Sequence, residues 1–202
     1  MKKILACILV LAGLSVSRAE AFDWGALFNV FAGTTEQQTT VTAANQFSDL
    51  EAQMSAIDST VQTTFVDIVS KLSGWWDTRS IKSQLKKQNA IDVISSYTNE
   101  YLSKNQEAIA KKLKNMSEKE KTALIQDITA LTDNGQKYLL LATNAAKTAT
   151  TTLKSAQNIA EVSNTVANIN KMAVDLRSRA TTVYNMAKQL KSIAGTVGMN
   201  IK

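Results

Sequence analysis

Residues that commonly perform catalysis or bind metals are scarce in this chain of 202 residues. It has no histidine, the commonest general base and zinc ligand, and one cysteine, Cys7. The Gly-x-Ser-x-Gly motif of hydrolases and the Gly-x-x-x-x-Gly-Lys-Ser/Thr phosphate loop are both missing from the sequence. A Ser–Lys pair or two carboxylates tuned by burial remain open routes to catalysis, but the close pair Glu118 and Glu120 fits helix capping better. We therefore expect no enzymatic activity, cofactor, metal or small-molecule substrate.

Aromatic residues are the better candidates for functional contacts. Four apolar residues of the N-terminal segment 22–38 share one face of a helical wheel: Trp24, Leu27, Phe28 and Phe31. Such a face suits a membrane interface or a groove on a partner, and the alternative is that it packs on the protein itself. Trp75 and Trp76 are adjacent, so in a helix they point about 100° apart, and one of them is free to face outward.

The first 21 residues have the features of an export signal. Lys2 and Lys3 precede an apolar stretch, and Ala19-Glu20-Ala21 forms a small-residue cleavage site. A retained membrane anchor is the alternative, but the stretch is shorter than the roughly 20 residues of a spanning helix. Cys7 lies within the stretch rather than at its end, so we expect it to be discarded instead of lipidated. The predicted location is the periplasm or exterior of a bacterium.

Charge gives little indication of nucleic-acid binding. The formal net charge is +6, and removal of the signal takes away three positive charges and one negative charge, which leaves +4. Lysine and glutamate are interspersed, and the sequence has no zinc-finger or RNA-binding signature. We expect a solvated surface and no nucleic-acid partner. A mature chain without cysteine also has no disulfide, so its stability must come from packing.

The positions of apolar residues predict long helices. The chain has no proline and seven glycines, so few residues interrupt a helix. From Ile159 onward, apolar residues recur at alternating steps of three and four, which keeps one face of a helix turned toward a neighbour. This C-terminal seam comprises Ile159, Val162, Val166, Ile169, Ala173, Leu176, Ala180, Val183, Ala187, Leu190, Ala194, Val197 and Ile201. We expect burial up to about Leu190 and fraying after Gly195.

Similar but less regular patterns predict the preceding helices. A first helix runs from Thr39 to about Ser73 and ends at Gly74-Trp75-Trp76-Asp77. A second runs from about Thr78 to Ser103 and places Tyr97 and Tyr101 on its inward face. A short third carries Ile109, Leu113 and Met116. Ser117 to Glu120 forms a capping box that starts a further helix, which we expect to continue through Gly135. A turn near residues 153–159 would fold the last helix back, and a single helix of nearly 80 residues is the alternative.

These patterns predict an all-α fold, an elongated bundle of long antiparallel helices with coiled-coil-like packing, in a single domain of residues 39–202. The functional expectation is an exported, non-enzymatic structural or interaction protein that associates with itself or with a cell-envelope or secretion-apparatus partner. The alternative is a membrane-active, toxin-like helical protein that contacts lipid through its aromatic N-terminus and the Trp75–Trp76 turn. No stretch after Phe22 is long and apolar enough to span a bilayer.

Overall fold

The computed structural model describes residues 43–155 and 159–201, and at residues 43, 44, 75, 76, 155 and 159–161 it describes the backbone alone. Every regular element in these ranges is helical, and the helices pack against one another, so the expected all-α bundle is confirmed. The elements are α1 (Ala43–Leu72), α2 (Trp75–Leu85), α3 (Ala90–Ser96), a π-helical segment (Tyr97–Leu102), α4 (Gln106–Lys114), α5 (Glu118–Ser155) and α6 (Ile159–Gly195). The predicted signal and N-terminal segment, 1–38, lie outside the described residues.

The three long helices α1, α5 and α6 form the body of the bundle. Three side-chain pairs join α1 to α5: Gln46 with Thr152, Asp58 with Tyr138, and Lys71 with Asp127. Residue numbers rise along α1 as they fall along α5, so the two helices are antiparallel. At a rise of 1.5 Å per residue, the 38 residues of α5 span about 57 Å.

Helices α5 and α6 form an antiparallel hairpin and share the most extensive contact in the fold. Near the middle of the pair, Gly135 of α5 lies against the ring of Tyr184 of α6, and Tyr138 of α5 and Arg179 of α6 both hydrogen-bond Asp58. Residue numbers again run in opposite directions along the two helices. The predicted hairpin is therefore confirmed, and the alternative of a single helix of nearly 80 residues is wrong.

The C-terminal seam is buried as its spacing predicts. Nine of its positions are in the core: Val166, Ile169, Ala173, Leu176, Ala180, Val183, Ala187, Leu190 and Ala194. Facing residues of α1 and α5, such as Phe65 and Leu131, are fully buried as well. From Ala173 to Ala194 alanine occupies every second seam position, which removes side-chain bulk where α6 meets its neighbours and allows the helix backbones to approach closely.

The structure corrects the prediction of one helix from Thr78 to Ser103. Helix α2 already begins at Trp75, and the chain leaves helical geometry after Leu85 before α3 begins at Ala90. Asn89 caps α3, because its side-chain oxygen accepts from the backbone N–H of Ile91 at 2.9 Å. Asparagine is a strong N-cap residue, so it starts a new helix where the apolar pattern alone suggested continuation.

Two local predictions for α5 are confirmed. The backbone N–H of Ser117 donates to the Glu120 carboxylate at 2.9 Å, and the Glu120 N–H donates to the Ser117 hydroxyl at 3.3 Å, which is a capping box. The helix then continues through Gly135 without interruption. A Cβ atom at this position would lie 3.1 Å from the Tyr184 ring, so the glycine allows that ring to approach the helix backbone.

The C-terminus is capped, so the expectation of fraying after Gly195 is wrong. The N–H of Met199 donates to the Ala194 carbonyl at 3.0 Å, the N–H of Gly198 donates to the Gly195 carbonyl at 3.1 Å, and Gly198 has φ +79°. This is a Schellman motif, in which a left-handed glycine lets the chain satisfy the last helical carbonyls. Met199 then turns back and is buried.

Candidate functional site

The aromatic contact candidates from the sequence divide into two groups. Trp24, Leu27, Phe28 and Phe31 lie outside the described residues, so their predicted role stays a prediction. Trp75 and Trp76 form the first two positions of α2, rather than the end of the preceding helix as the sequence analysis expected.

Gly74 determines how the chain passes from α1 into α2. Its backbone has φ +100° and ψ −178°, a conformation that is open to glycine and strained for other residues. Gly74, the N-cap residue of α2, has no side chain to cap the helix, and Thr78 donates its hydroxyl hydrogen to the Gly74 carbonyl at 2.6 Å. This turn places Asp77, the residue after the two tryptophans, beside α3 and the π-helical segment.

A surface groove lies between α2 and the element formed by α3 and the π-helical segment. We call it the α2–α3 groove, and it has a volume of about 220 Å³. Nine residues line it: Asp77, Ser80, Ile81, Gln84, Val93, Ser96, Tyr97, Glu100 and Tyr101. Two tyrosines, two carboxylates and several small polar groups therefore face one concave surface.

Stacked tyrosine rings form the aromatic part of this groove. The Tyr97 and Tyr101 ring centroids are 4.8 Å apart with an interplanar angle of 18°, and Phe65 of α1 meets Tyr97 edge-on at 5.4 Å. The Tyr97 hydroxyl also hydrogen-bonds Ser73 at 2.5 Å. Tyr97 is buried, whereas Tyr101 is partly exposed, so Tyr97 anchors the stack to the core and Tyr101 is the outer ring.

The electrostatics of the α2–α3 groove are negative. Among the described residues, its lining includes the exposed carboxylates of Asp77 and Glu100 and contains no lysine or arginine. Burial is the main cause that raises the pKa of Tyr97, and the negative charge of Asp77 adds to this effect although the Ser73 hydrogen bond opposes it. Tyr97 therefore remains a neutral phenol at physiological pH. The groove offers aromatic surface and two negative charges to a ligand.

The π-helical segment helps to set this geometry. The Ser103 hydroxyl donates to the carbonyl of Thr98, five residues earlier, at 3.2 Å, and Thr98 is itself buried and bonds the Ile94 carbonyl. The wider turn of a π-helix is rare and frequently occurs at functional sites. Tyr97 and Tyr101 lie on the inward face as their helical spacing predicted, with Tyr97 in the core and Tyr101 packed against it, whereas no local motif marks Asp77 and Glu100.

The long hairpin of α5 and α6 also exposes large hydrophobic side chains. Leu139, Leu140 and Leu153 of α5 are 40%, 50% and 40% exposed, and Val174 of α6 is 65% exposed. These are the large hydrophobic side chains with the greatest exposure in the described part of the chain. Single exposed apolar residues are common, but three leucines on one helix are a candidate contact surface.

A polar network crosses the centre of the bundle and joins its three long helices. Arg179 of α6 donates to both carboxylate oxygens of Asp58 of α1 at 2.8 and 2.9 Å, and to Asp175 at 2.7 Å. Tyr138 of α5 donates its hydroxyl hydrogen to Asp58. Burial lowers the pKa of Arg179, but the hydrogen bond to Asp175 and the negative charge of Asp58 outweigh it and raise that pKa overall.

We interpret this network as structural. Its donors and acceptors satisfy one another, which is what buried polar groups require, and it fixes the alignment of the helices relative to each other. No local pattern in the sequence predicted this network, because Asp58 and Arg179 are 121 residues apart.

The described residues contain no cluster of three or more acidic residues that could hold a metal ion. Among the described helices, none has the length and hydrophobicity to cross a membrane.

Comparison of the chain with protein-family models, with curated proteins and with solved structures finds no match in any of the three.

Proposed function

We propose that this is an exported, non-enzymatic structural or interaction protein whose helical bundle associates with itself or with a cell-envelope or secretion-apparatus partner. The observation that carries the proposal is the exposure of three leucines of α5: Leu139, Leu140 and Leu153. Large apolar side chains that a helix exposes to water are covered favourably when another molecule packs on them.

The residues around these leucines favour a partner that presents a helix or a flat apolar surface. A line of uncharged residues follows α5 at alternating steps of three and four: Ile125, Thr129, Thr132, Gln136, Leu139, Thr143, Ala146, Thr150 and Leu153. Over 29 residues this line contains no lysine, arginine, aspartate or glutamate. Helix surfaces that face solvent usually carry charged residues. An uncharged line with this spacing therefore favours a partner that packs along the length of α5.

Export is part of the proposal and depends on the sequence. Lys2 and Lys3, the apolar stretch after them and the Ala19-Glu20-Ala21 site have the order of a cleavable signal. We expect the exported protein to start at Phe22. N-terminal sequencing of protein recovered from outside the cytoplasm tests this, and a retained Met1 would contradict it.

Native purification from the cell envelope tests the association. The variant Leu139→Ser, Leu140→Ser, Leu153→Ser should reduce recovery of the bound protein at least tenfold, because three exposed apolar contacts are lost while the buried core is unchanged. Ala52→Ser, at an exposed position of α1, is the control and should leave recovery within twofold. Recovery by the leucine variant equal to that of the unaltered protein would contradict the proposal.

The alternative is a membrane-active function, and the same purified protein can be used to test it. Co-sedimentation with anionic vesicles should show no binding if protein association is the function. Binding that disappears in the variant Trp24→Ser, Phe28→Ser would support the membrane-active alternative instead.

A further inference from the structure

We propose that the α2–α3 groove binds a basic side chain of a partner protein, with arginine as the best fit. This inference rests on the proposed interaction function and adds to it the chemical class of one contact. The exposed leucines of α5 lie on another element, so the two surfaces can be tested separately.

Charge complementarity is the first argument. Asp77 and Glu100 are both exposed, and in the described part of the chain neither forms an ion pair with a lysine or arginine. The groove therefore presents two carboxylates that have no ion-pair partner among the described residues, on a chain whose formal net charge is +6. A cationic group placed between them would form charge-assisted hydrogen bonds, which are stronger than neutral ones.

The aromatic stack is the second argument and favours arginine over lysine. Tyr101 is partly exposed, and the stack with Tyr97 holds its ring in a fixed orientation. A guanidinium group is planar, stacks on aromatic faces and donates five hydrogen bonds, so it can contact a tyrosine ring and a carboxylate together. The ammonium group of lysine is compact, more strongly hydrated and less suited to stacking.

The dimensions of the groove are the third argument. A volume of about 220 Å³ accommodates one long side chain, whereas a helix with its side chains is about 10 Å across and would not enter. The small polar residues Ser80, Gln84 and Ser96 also line the groove and can hydrogen-bond the guanidinium edge or the backbone beside it. The occupant is therefore a single basic side chain presented by a partner's surface.

The experiment is an NMR titration of the purified full chain with N-acetyl-arginine methylamide, followed through the tyrosine ring signals. The matched control ligand is N-acetyl-citrulline methylamide, which keeps the shape of arginine and lacks its charge. We expect the arginine ligand to shift the Tyr101 signals and to bind at least fivefold more tightly than citrulline. Added salt should weaken its binding because the groove carboxylates are exposed. Equal binding of both ligands would overturn the proposal.

Variants locate the binding. Asp77→Asn, Glu100→Gln together should weaken arginine binding at least fivefold, and Asp92→Asn, an exposed carboxylate of α3 outside the groove, should leave it within twofold. Equal loss in the Asp92 variant would overturn the assignment to the groove. If the double variant loses its helical circular dichroism, Glu100→Gln alone and Tyr101→Ala replace it with the same expected direction, and unchanged binding in both overturns the proposal.

The same variants distinguish a partner from a second copy. Sedimentation of the Asp77→Asn, Glu100→Gln protein without any partner should give the same native mass as the unaltered protein. A lower mass would overturn the assignment to a separate partner, because it would place a basic residue of a second copy in the groove. The titration needs no partner protein, so a failure of the α5 leucine test leaves its result interpretable.

Discussion

The pair Asp58–Arg179 should contribute measurably to folding, and a double-mutant cycle with Asp58→Asn and Arg179→Met tests this. Asparagine keeps an acceptor for the Tyr138 hydroxyl while it removes the negative charge, and methionine keeps much of the apolar stem of arginine. The cycle therefore isolates the interaction between the two charged groups from the packing of their side chains.

The structure sets the expected coupling energy. Two unit charges about 4 Å apart interact by about 4 kcal/mol at an effective dielectric constant of about 20. The Arg179 side chain is 10% exposed and that of Asp58 is 30% exposed, so water screens the pair from one side. We discount the interaction by about half for this screening and expect a coupling energy of about 2 kcal/mol.

Urea unfolding of the four proteins at one protein concentration supplies the free energies of unfolding. The control cycle uses the surface pair Glu118–Lys121, in which the glutamate side chain is 89% exposed, and it should give no more than about 0.5 kcal/mol. A coupling energy for Asp58–Arg179 as small as that of the control would refute the reasoning, because it would show that the network is screened like any surface pair.

Three further predictions concern stability. Leu176→Ala should lower the free energy of unfolding by about 3 kcal/mol, since Leu176 is fully buried, whereas Val174→Ala, at 65% exposure, should stay within about 0.5 kcal/mol in the same urea assay. Gly74→Ala should destabilise the protein by about 1 to 3 kcal/mol in thermal unfolding because of the strained backbone at φ +100°, and a neutral result would contradict the assigned turn. Burial, together with the hydrogen bond to Asp58, raises the pKa of the Tyr138 hydroxyl. The unfolded chain should therefore release the hydroxyl proton near the ordinary tyrosine pKa of about 10, while the folded chain keeps it. Stability should therefore decline as the pH rises above about 10, and the decline should be smaller in Tyr138→Phe; equal declines in both proteins would argue against this assignment.

The parts of the fold that could be predicted from sequence depend on local spacing. The buried seam of α6, the capping box at Ser117 and the continuation of α5 through Gly135 each follow from residues within a few helical turns. The break before α3 was missed because an asparagine cap competed with a loose apolar pattern that also suited one longer helix. The Schellman cap was missed because glycine near a helix end is compatible with either an ordered cap or a frayed one.

The candidate site was predictable only in part. Tyr97 and Tyr101 were expected on the inward face from their helical spacing, and the structure adds that their rings stack. The aromatic N-terminal candidates lie outside the described residues and stay predictions. Asp77 and Glu100 had no recognisable motif, because their significance arises from the packing of α2 against the element that carries Glu100.

The sequence by itself determined that this chain forms long helices and which face of each is buried, since side-chain direction repeats with the helix period and apolar faces must be covered. Only the tertiary structure decided which helices cover those faces, because the same seam could pack on a second copy as well as within one chain. It also decided which distant polar groups meet, as Asp58, Tyr138 and Arg179 do across three helices. Such contacts depend on the relative alignment of the helices, and no local pattern in the sequence specifies that alignment.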